Sequence, residues 1–252
     1  EDQQMQALAD FVDHVGITRK KEGTDGVVEL PLSHAMYLDE LSRGEDSLHL
    51  ERSRAFRALV RDIRHPEEAE SLAGVLRDYQ ETGFRWLTTL ASHHLGGILA
   101  DDMGLGKTLQ VIAFLLSQQN DTDPPSLVVA PTSLMYNWLD EIQRFAPQLR
   151  ALAVAGTKAE RETLLAAVDE KCDVLITTYN LLKRDIASYE NMRFRYCILD
   201  EAQHIKNPVT QNARAVKKVR AGGYFALTGT PIENTLTELW SIFDFLMPGY
   251  LL

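Results

Sequence analysis

Lys107 and Thr108 follow two closely spaced glycines in the stretch Asp101-Asp102-Met103-Gly104-Leu105-Gly106-Lys107-Thr108. That combination suits the binding of a phosphate chain. Gly104 and Gly106 open backbone conformations closed to residues with a side chain, so successive N–H groups can turn toward one anion. Lys107 brings a full positive charge for the outer phosphates, and the Thr108 hydroxyl is placed to ligate Mg²⁺. One position departs from the usual G-x-x-x-x-G-K-[ST] loop, because Asp101 stands where its first glycine is expected.

Far along the chain, Tyr196-Cys197-Ile198-Leu199 runs into Asp200-Glu201. Two carboxylates at the end of an apolar strand lie where ligands of open α/β sheets bind. Asp200 would hold Mg²⁺, directly or through water, since that ion takes oxygen ligands and keeps several waters. Glu201 would orient or deprotonate an attacking water. Alone, the acidic pair reads as a solvated strand end; beside a phosphate loop it supplies what a nucleotide site still lacks.

The elements around these residues have the right order. Ile98 to Ala100 is a short apolar run, and Leu109 to Leu116 repeats apolar residues at helical spacing, so the glycine loop joins a strand to a helix. Further apolar runs recur at 127–130, 152–155, 174–177, 196–199 and 224–227. Amphipathic helical patterns occupy 77–94, 134–145, 159–168, 210–219 and 235–246. Continuous rather than alternating apolar runs suit strands covered on both faces. The expected fold is α/β, with a mainly parallel sheet and helices on both sides.

Residues 1–72 read differently. A helix is expected over 1–15, a basic turn at Arg19-Lys20-Lys21, a strand over 27–32 and a helix after Ser33. A further helix is expected over 53–63, with Phe56, Leu59, Val60 and Ile63 on one face, before a boundary at Pro66. No motif with chemistry occurs there, so 1–72 is expected to be an accessory region and 73–252 the α/β domain. The 252 residues carry a formal charge of −10; residues 1–72 hold 16 acidic and 9 basic groups, against 20 and 17 in the remainder. An acidic total argues against tight, non-specific binding of polyanions by the whole surface, because such affinity comes from neutralised phosphates. No run approaches the ~20 apolar residues of a membrane span and no signal-peptide pattern opens the chain, which predicts a soluble cytoplasmic protein. Cys172 and Cys197 lack metal-ligand spacing and read as reduced thiols.

Gly104 to Thr108, Asp200-Glu201-Ala202-Gln203-His204 and Leu227-Thr228-Gly229-Thr230-Pro231 together resemble motifs one to three of superfamily-two helicase-like ATPases. The fuller strings Asp101 to Thr108, His204-Ile205-Lys206-Asn207 and Thr228-Gly229-Thr230-Pro231-Ile232-Glu233-Asn234 narrow this resemblance to the Swi/Snf type, bacterial members above all. That family normally has Asp at the position of Asp101. The resemblance implies a RecA-like lobe that binds ATP and Mg²⁺, with Lys107, Asp200 and Glu201 catalytic. It implies that Arg77 and Gln80 read adenine, Gln80 pairing with both its donor and acceptor edges. His204, Thr228 and Thr230 would couple nucleotide state to the rest of the motor. Ala130-Pro131-Thr132-Ser133 and Thr177-Thr178-Tyr179-Asn180 resemble stretches that contact nucleic acid, so Pro131, Thr132, Ser133, Thr178 and Tyr179 are candidate phosphate contacts on double-stranded DNA; as residue types they could equally be helix caps. Lys206 and Asn207 are weaker candidates.

The implied activity is ATP-driven movement along, or remodelling of, protein-bound double-stranded DNA, in a bacterial cytoplasm and associated with the nucleoid. Family members continue into a second lobe whose arginines reach the phosphates, and no arginine here has a matching context. Residues 1–252 are therefore expected to bind nucleotide and to hydrolyse it poorly alone. Two alternatives are a small-molecule kinase using the same loop, which would have no need of Thr228-Gly229-Thr230-Pro231, and a non-catalytic interaction module with a vestigial site. His93-His94 lack further ligands for zinc. Trp86, Trp138 and Trp240 lie on apolar helix faces and read as core, and Lys217-Lys218-Val219-Arg220 reads as a solvated helix end.

Overall fold

The computed structural model describes residues 34–35, 38–39, 53–64, 74–120, 123–168, 172–231 and 235–248. The elements expected at 1–15 and 27–32 and the basic turn lie outside these, as does Pro66; the helix after Ser33 is described only at 34–35 and 38–39. Helix α1 (Arg54–Arg64) begins where the Ser53 hydroxyl accepts from the Phe56 N–H, and it buries Leu59 and Val60. Its Ile63 packs against the main core.

Six strands form one sheet among the described residues, every pairing parallel, in the spatial order β1-β6-β5-β2-β4-β3. They are β1 (Gly97–Leu99), β2 (Ser126–Ala130), β3 (Ala151–Ala153), β4 (Val174–Thr178), β5 (Arg193–Leu199) and β6 (Arg220–Leu227). The runs at β2 and β4 are buried at every position, which is why they read as continuous rather than alternating apolar segments.

Alternate residues feed two cores. Val128, Ala130 and Ile198 face a layer built from α2 (Asp78–Ser92), α3 (Lys107–Ser117) and α4 (Met135–Phe145). Leu127, Val129, Cys197 and Leu199 face the opposite layer. That second layer contains α5 (Lys158–Ala166), α6 (Tyr179–Arg184), α7 (Ile186–Tyr189), α8 (Gln211–Val216) and α9 (Leu236–Leu246). The expected α/β architecture with both faces covered is therefore observed.

Several details differ from the sequence reading. β5 and β6 start earlier, at Arg193 and Arg220, because their first halves pair with each other in register although arginines and glycines interrupt the apolar run. Helices α6 and α7 are too short to show a 3.6-residue period. Trp138 is core, whereas Trp240 is 36% exposed, lying on the outer side of α9 with the Lys217 ammonium 5.5 Å from its ring centroid. Lys217 and Lys218 close α8 and are ion-paired with Asp244 and Glu190, Lys218 remaining mostly exposed. Both cysteines are free thiols, and His93 lies 3.7 Å from Asp62. No described helix is long and apolar enough to cross a membrane.

Candidate functional site

A parallel sheet delivers all its strand ends to one edge, and the order β1-β6-β5 sets the segments after these three strands side by side. The segment after β1 turns through two left-handed glycines, Gly104 at φ 84° and Gly106 at φ 75°, into α3 at Lys107. The Lys107 ammonium folds back over this loop and donates to the carbonyls of Asp101 (2.7 Å) and Asp102 (3.1 Å). Asp101, the residue in place of a glycine, has a use of its own. Its carboxylate accepts from the Gln110 amide at 2.9 Å, which ties the loop's start to the fourth residue of the helix that follows.

Helix α2 braces the same loop from outside. Gln80, 6% exposed, donates from Nε2 to the Leu105 carbonyl (3.1 Å) and accepts at Oε1 from the Arg77 N–H (3.0 Å). The Tyr79 hydroxyl also donates to the Leu105 carbonyl, at 3.2 Å. Both polar ends of Gln80 are thus engaged within the chain, while Arg77 is exposed beside the loop. A Cβ on Gly106 would stand 2.4 Å from Gln80 Nε2, so a glycine is needed there for space as well as for its backbone angle.

Asp200 stands at the end of β5 and is 6% exposed. Its carboxylate is held at both oxygens, by the Glu201 N–H on Oδ1 (2.9 Å) and the Trp138 indole N–H on Oδ2 (2.8 Å). Burial, and next to it the Glu201 charge, push the Asp200 carboxyl above its ordinary range, although the Trp138 hydrogen bond and the Lys107 charge pull the other way. Glu141, three residues beyond Trp138 on α4, is half-buried, and burial followed by the Asp200 charge raises its carboxyl too. Neither Trp138 nor Glu141 was singled out from sequence for this site. The usable signal was that a buried indole N–H seeks an acceptor.

Glu201 takes the left-handed conformation (φ 48°, ψ 58°), which is uncommon for a residue with a side chain and concentrates at functional sites. From it a line of hydrogen bonds crosses to the segment after β6. Gln203 Nε2 donates to Glu201 Oε2 (2.7 Å), the Thr228 hydroxyl donates to Gln203 Oε1 (3.1 Å), and the Thr230 N–H donates to the Thr228 hydroxyl (3.1 Å). Thr228 is fully buried and Thr230 exposed. His204 is exposed and lies against Tyr179, ring centroids 4.8 Å apart.

The two stretches expected on nucleic acid differ in exposure. Thr132 and Ser133 are exposed and Pro131 half-buried; the residue capping α4 is Leu134, so neither hydroxyl is used as its cap. Thr178 and Tyr179 are buried at 2% and 4% exposure. The Thr178 hydroxyl accepts from the Leu181 N–H as the cap of α6, and the Tyr179 hydroxyl donates to the Asp200 carbonyl at 2.7 Å. Their side chains offer no surface to a phosphate; in that stretch the exposed residue is Asn180.

At one sheet edge the chain thus collects turned N–H groups, the start of an eleven-residue helix, an ammonium, the Thr108 hydroxyl and a buried carboxylate. This donor set fits a polyphosphate accompanied by a hard divalent cation. Among the described residues, no cluster of three or more His, Cys, Asp or Glu forms a separate metal site.

The model of the SNF2-related domain matches residues 79–252, and that of the bacterial SNF2 helicase-associated region matches 1–71. The chain is 42% identical over 207 residues to YwqA of Bacillus subtilis, named as an ATP-dependent helicase/translocase; the match covers 79% of this chain and 22% of that protein. Identity to the TATA-binding protein-associated factor MOT1 of Saccharomyces cerevisiae is 39% over 220 residues, covering 80% and 12%. The chain thus spans between about an eighth and a fifth of these relatives' length. Among solved structures, the Sulfolobus solfataricus SWI2/SNF2 ATPase core in complex with double-stranded DNA superposes with a TM-score of 0.64 at 39% identity, over 73% of this chain and 38% of that one.

Proposed function

The chain belongs to the SNF2-related domain family, and on that premise we propose that it is the ATP-binding, RecA-like first motor lobe of a DNA-dependent ATPase. The observation that carries this reading is the strand order β1-β6-β5, which sets the Lys107 loop and the buried, doubly hydrogen-bonded Asp200 at one sheet edge. A small-molecule kinase has no comparable use for the Glu201–Gln203–Thr228–Thr230 line, and a vestigial module has none for an intact loop.

In this reading the N–H groups around Gly104 and Gly106 hold the phosphate chain and Lys107 turns from the Asp101 and Asp102 carbonyls to its outer oxygens. Arg77 and Gln80 border the base, Gln80 exchanging its present partners for the edge of adenine. Thr108 and Asp200 are the groups suited to Mg²⁺, which when bound offsets charge on the transferring phosphate. Glu201 orients the attacking water. Its hydrogen-bond line to Thr228 and Thr230, with His204 alongside, reports the state of that water to the surface. Pro131, Thr132 and Ser133 contact the phosphates of double-stranded DNA without reading bases, while Thr178 and Tyr179 act from inside by fixing α6 and Asp200. The likeness to a bacterial helicase/translocase and to an ATPase core in complex with double-stranded DNA supports a role on DNA, which we place in the cytoplasm; the likeness to a TATA-binding protein-associated factor supports a DNA-bound protein as the object moved.

Binding is tested by thermal unfolding. ADP with Mg²⁺ at about 100 times its dissociation constant should stabilise the chain by about 2.7 kcal/mol, roughly 5 to 10 °C in Tm. Lys107→Ala should lose that shift while keeping its nucleotide-free Tm. An absent shift, or an equal one in Lys107→Ala, rules out the site.

A further inference from the structure

Helix α4 follows the loop at 131–134, where Thr132 and Ser133 are exposed, and carries Trp138 one turn in, its backbone N–H donating to the Leu134 carbonyl at 3.0 Å. The Trp138 side chain is 1% exposed and is among the largest groups in the core. Phenylalanine would fill much of this space, at the cost of a cavity, but would bring no polar atom. What only tryptophan supplies is the N–H on Asp200 Oδ2. With the Glu201 N–H on Oδ1, each carboxylate oxygen has one fixed donor, from two different elements. The plane of the carboxylate is thereby set, and each oxygen keeps a lone pair for a cation or its water.

We propose that Trp138 is a positioning residue of the nucleotide site, whose indole N–H aims the Asp200 carboxylate at the metal and ties it through α4 to the loop at 131–134. The inference rests on the reading of Asp200 as a holder of Mg²⁺. A donor at this point acts on metal binding rather than on the nucleotide itself, because it bonds to Asp200 and not to the phosphate loop. It also joins the first turns of α4, next to Thr132 and Ser133, to the end of β5 by one hydrogen bond.

The test compares affinity for fluorescently labelled ADP with and without Mg²⁺, in the full chain, for wild type, Trp138→Phe and a protein carrying benzothienylalanine at 138, in which sulfur replaces the indole N–H. Nucleotide-free Tm is recorded for each, and the sulfur analogue keeps the test open if the phenylalanine variant folds poorly. The metal-free affinity should stay within about twofold, while the gain conferred by Mg²⁺ falls about tenfold, the size of a lost hydrogen bond to a charged group. An unchanged Mg²⁺ gain in the sulfur analogue, or equal losses with and without metal, would overturn the positioning role. A wild type that binds no ADP, or binds it without any Mg²⁺ gain, would instead remove the reading on which the inference rests.

Discussion

Gly104 and Gly106 share a left-handed backbone but not the same surroundings. A Cβ on Gly104 meets nothing within 4 Å, whereas one on Gly106 meets the Gln80 amide. Gly104→Ala should therefore cost only the backbone strain, about 1 to 2 kcal/mol. Gly106→Ala adds displacement of Gln80 and loss of its bond to the Leu105 carbonyl, about 1 kcal/mol more. Chemical denaturation would measure both. The double variant Gly106→Ala with Gln80→Ala should recover part of the excess, because the two substitutions act on one contact. Equal costs for the two glycine variants would mean that Gln80 does not brace the loop.

At the scale of elements, a deeply buried ion pair helps to fasten the second helical layer. Arg161 of α5 meets Asp185, between α6 and α7, through Nε (2.5 Å) and Nη2 (2.9 Å), and its Nη1 donates to the Gly156 carbonyl; both side chains are 5% exposed. Arg161→Ala leaves a buried carboxylate alone and should cost about 3 to 5 kcal/mol in urea unfolding, more than replacing the pair by Met and Leu together. Arg150 and Asp173 fasten the edge strand β3 more lightly. Burial raises the Asp173 carboxyl, but the side-chain and backbone hydrogen bonds of Arg150 outweigh it and leave the group below its usual range. A depressed folded-state value contributes stability near neutrality that is lost as pH falls through it. Asp173→Asn should thus cost about 1 kcal/mol at pH 7, a modest figure for a half-exposed arginine partner, and nothing in strong acid. The apolar runs made these elements legible, since the inner strands β2 and β4 are buried on both faces and each long helix has one apolar side. The order β1-β6-β5, which brings Lys107, Thr228 and Asp200 together, was not, because pairing of parallel strands leaves no local trace. Nor was Trp138, whose apolar ring accounts for its pattern and hides its polar atom. The buried state of Thr178 and Tyr179 was missed for the converse reason, since cap residues and phosphate contacts use the same side chains.

At the scale of the whole molecule the charge of −10 constrains how DNA can be held. Several cations are already spent on internal partners: Arg161 on Asp185, Arg195 on Asp123, and Lys217 and Lys218 on Asp244 and Glu190. The proposed contact surface at Thr132 and Ser133 consists of hydroxyls at the head of α4, which bind phosphate without releasing many counterions. Binding of the chain to a short duplex should consequently be weak and only mildly salt-dependent. Between 50 and 200 mM salt the affinity should fall by less than about a hundredfold, against about 10³-fold or more for six cationic phosphate contacts. Fluorescence anisotropy of a labelled duplex across that range measures the slope, and Thr132→Asp with Ser133→Asp should weaken binding at every salt concentration. A steep slope insensitive to those substitutions would move the DNA to a cationic surface. The place to look would then be the opposite sheet edge, where exposed Arg193 and Arg220 stand in register on β5 and β6, far from the strand ends that carry Lys107 and Asp200.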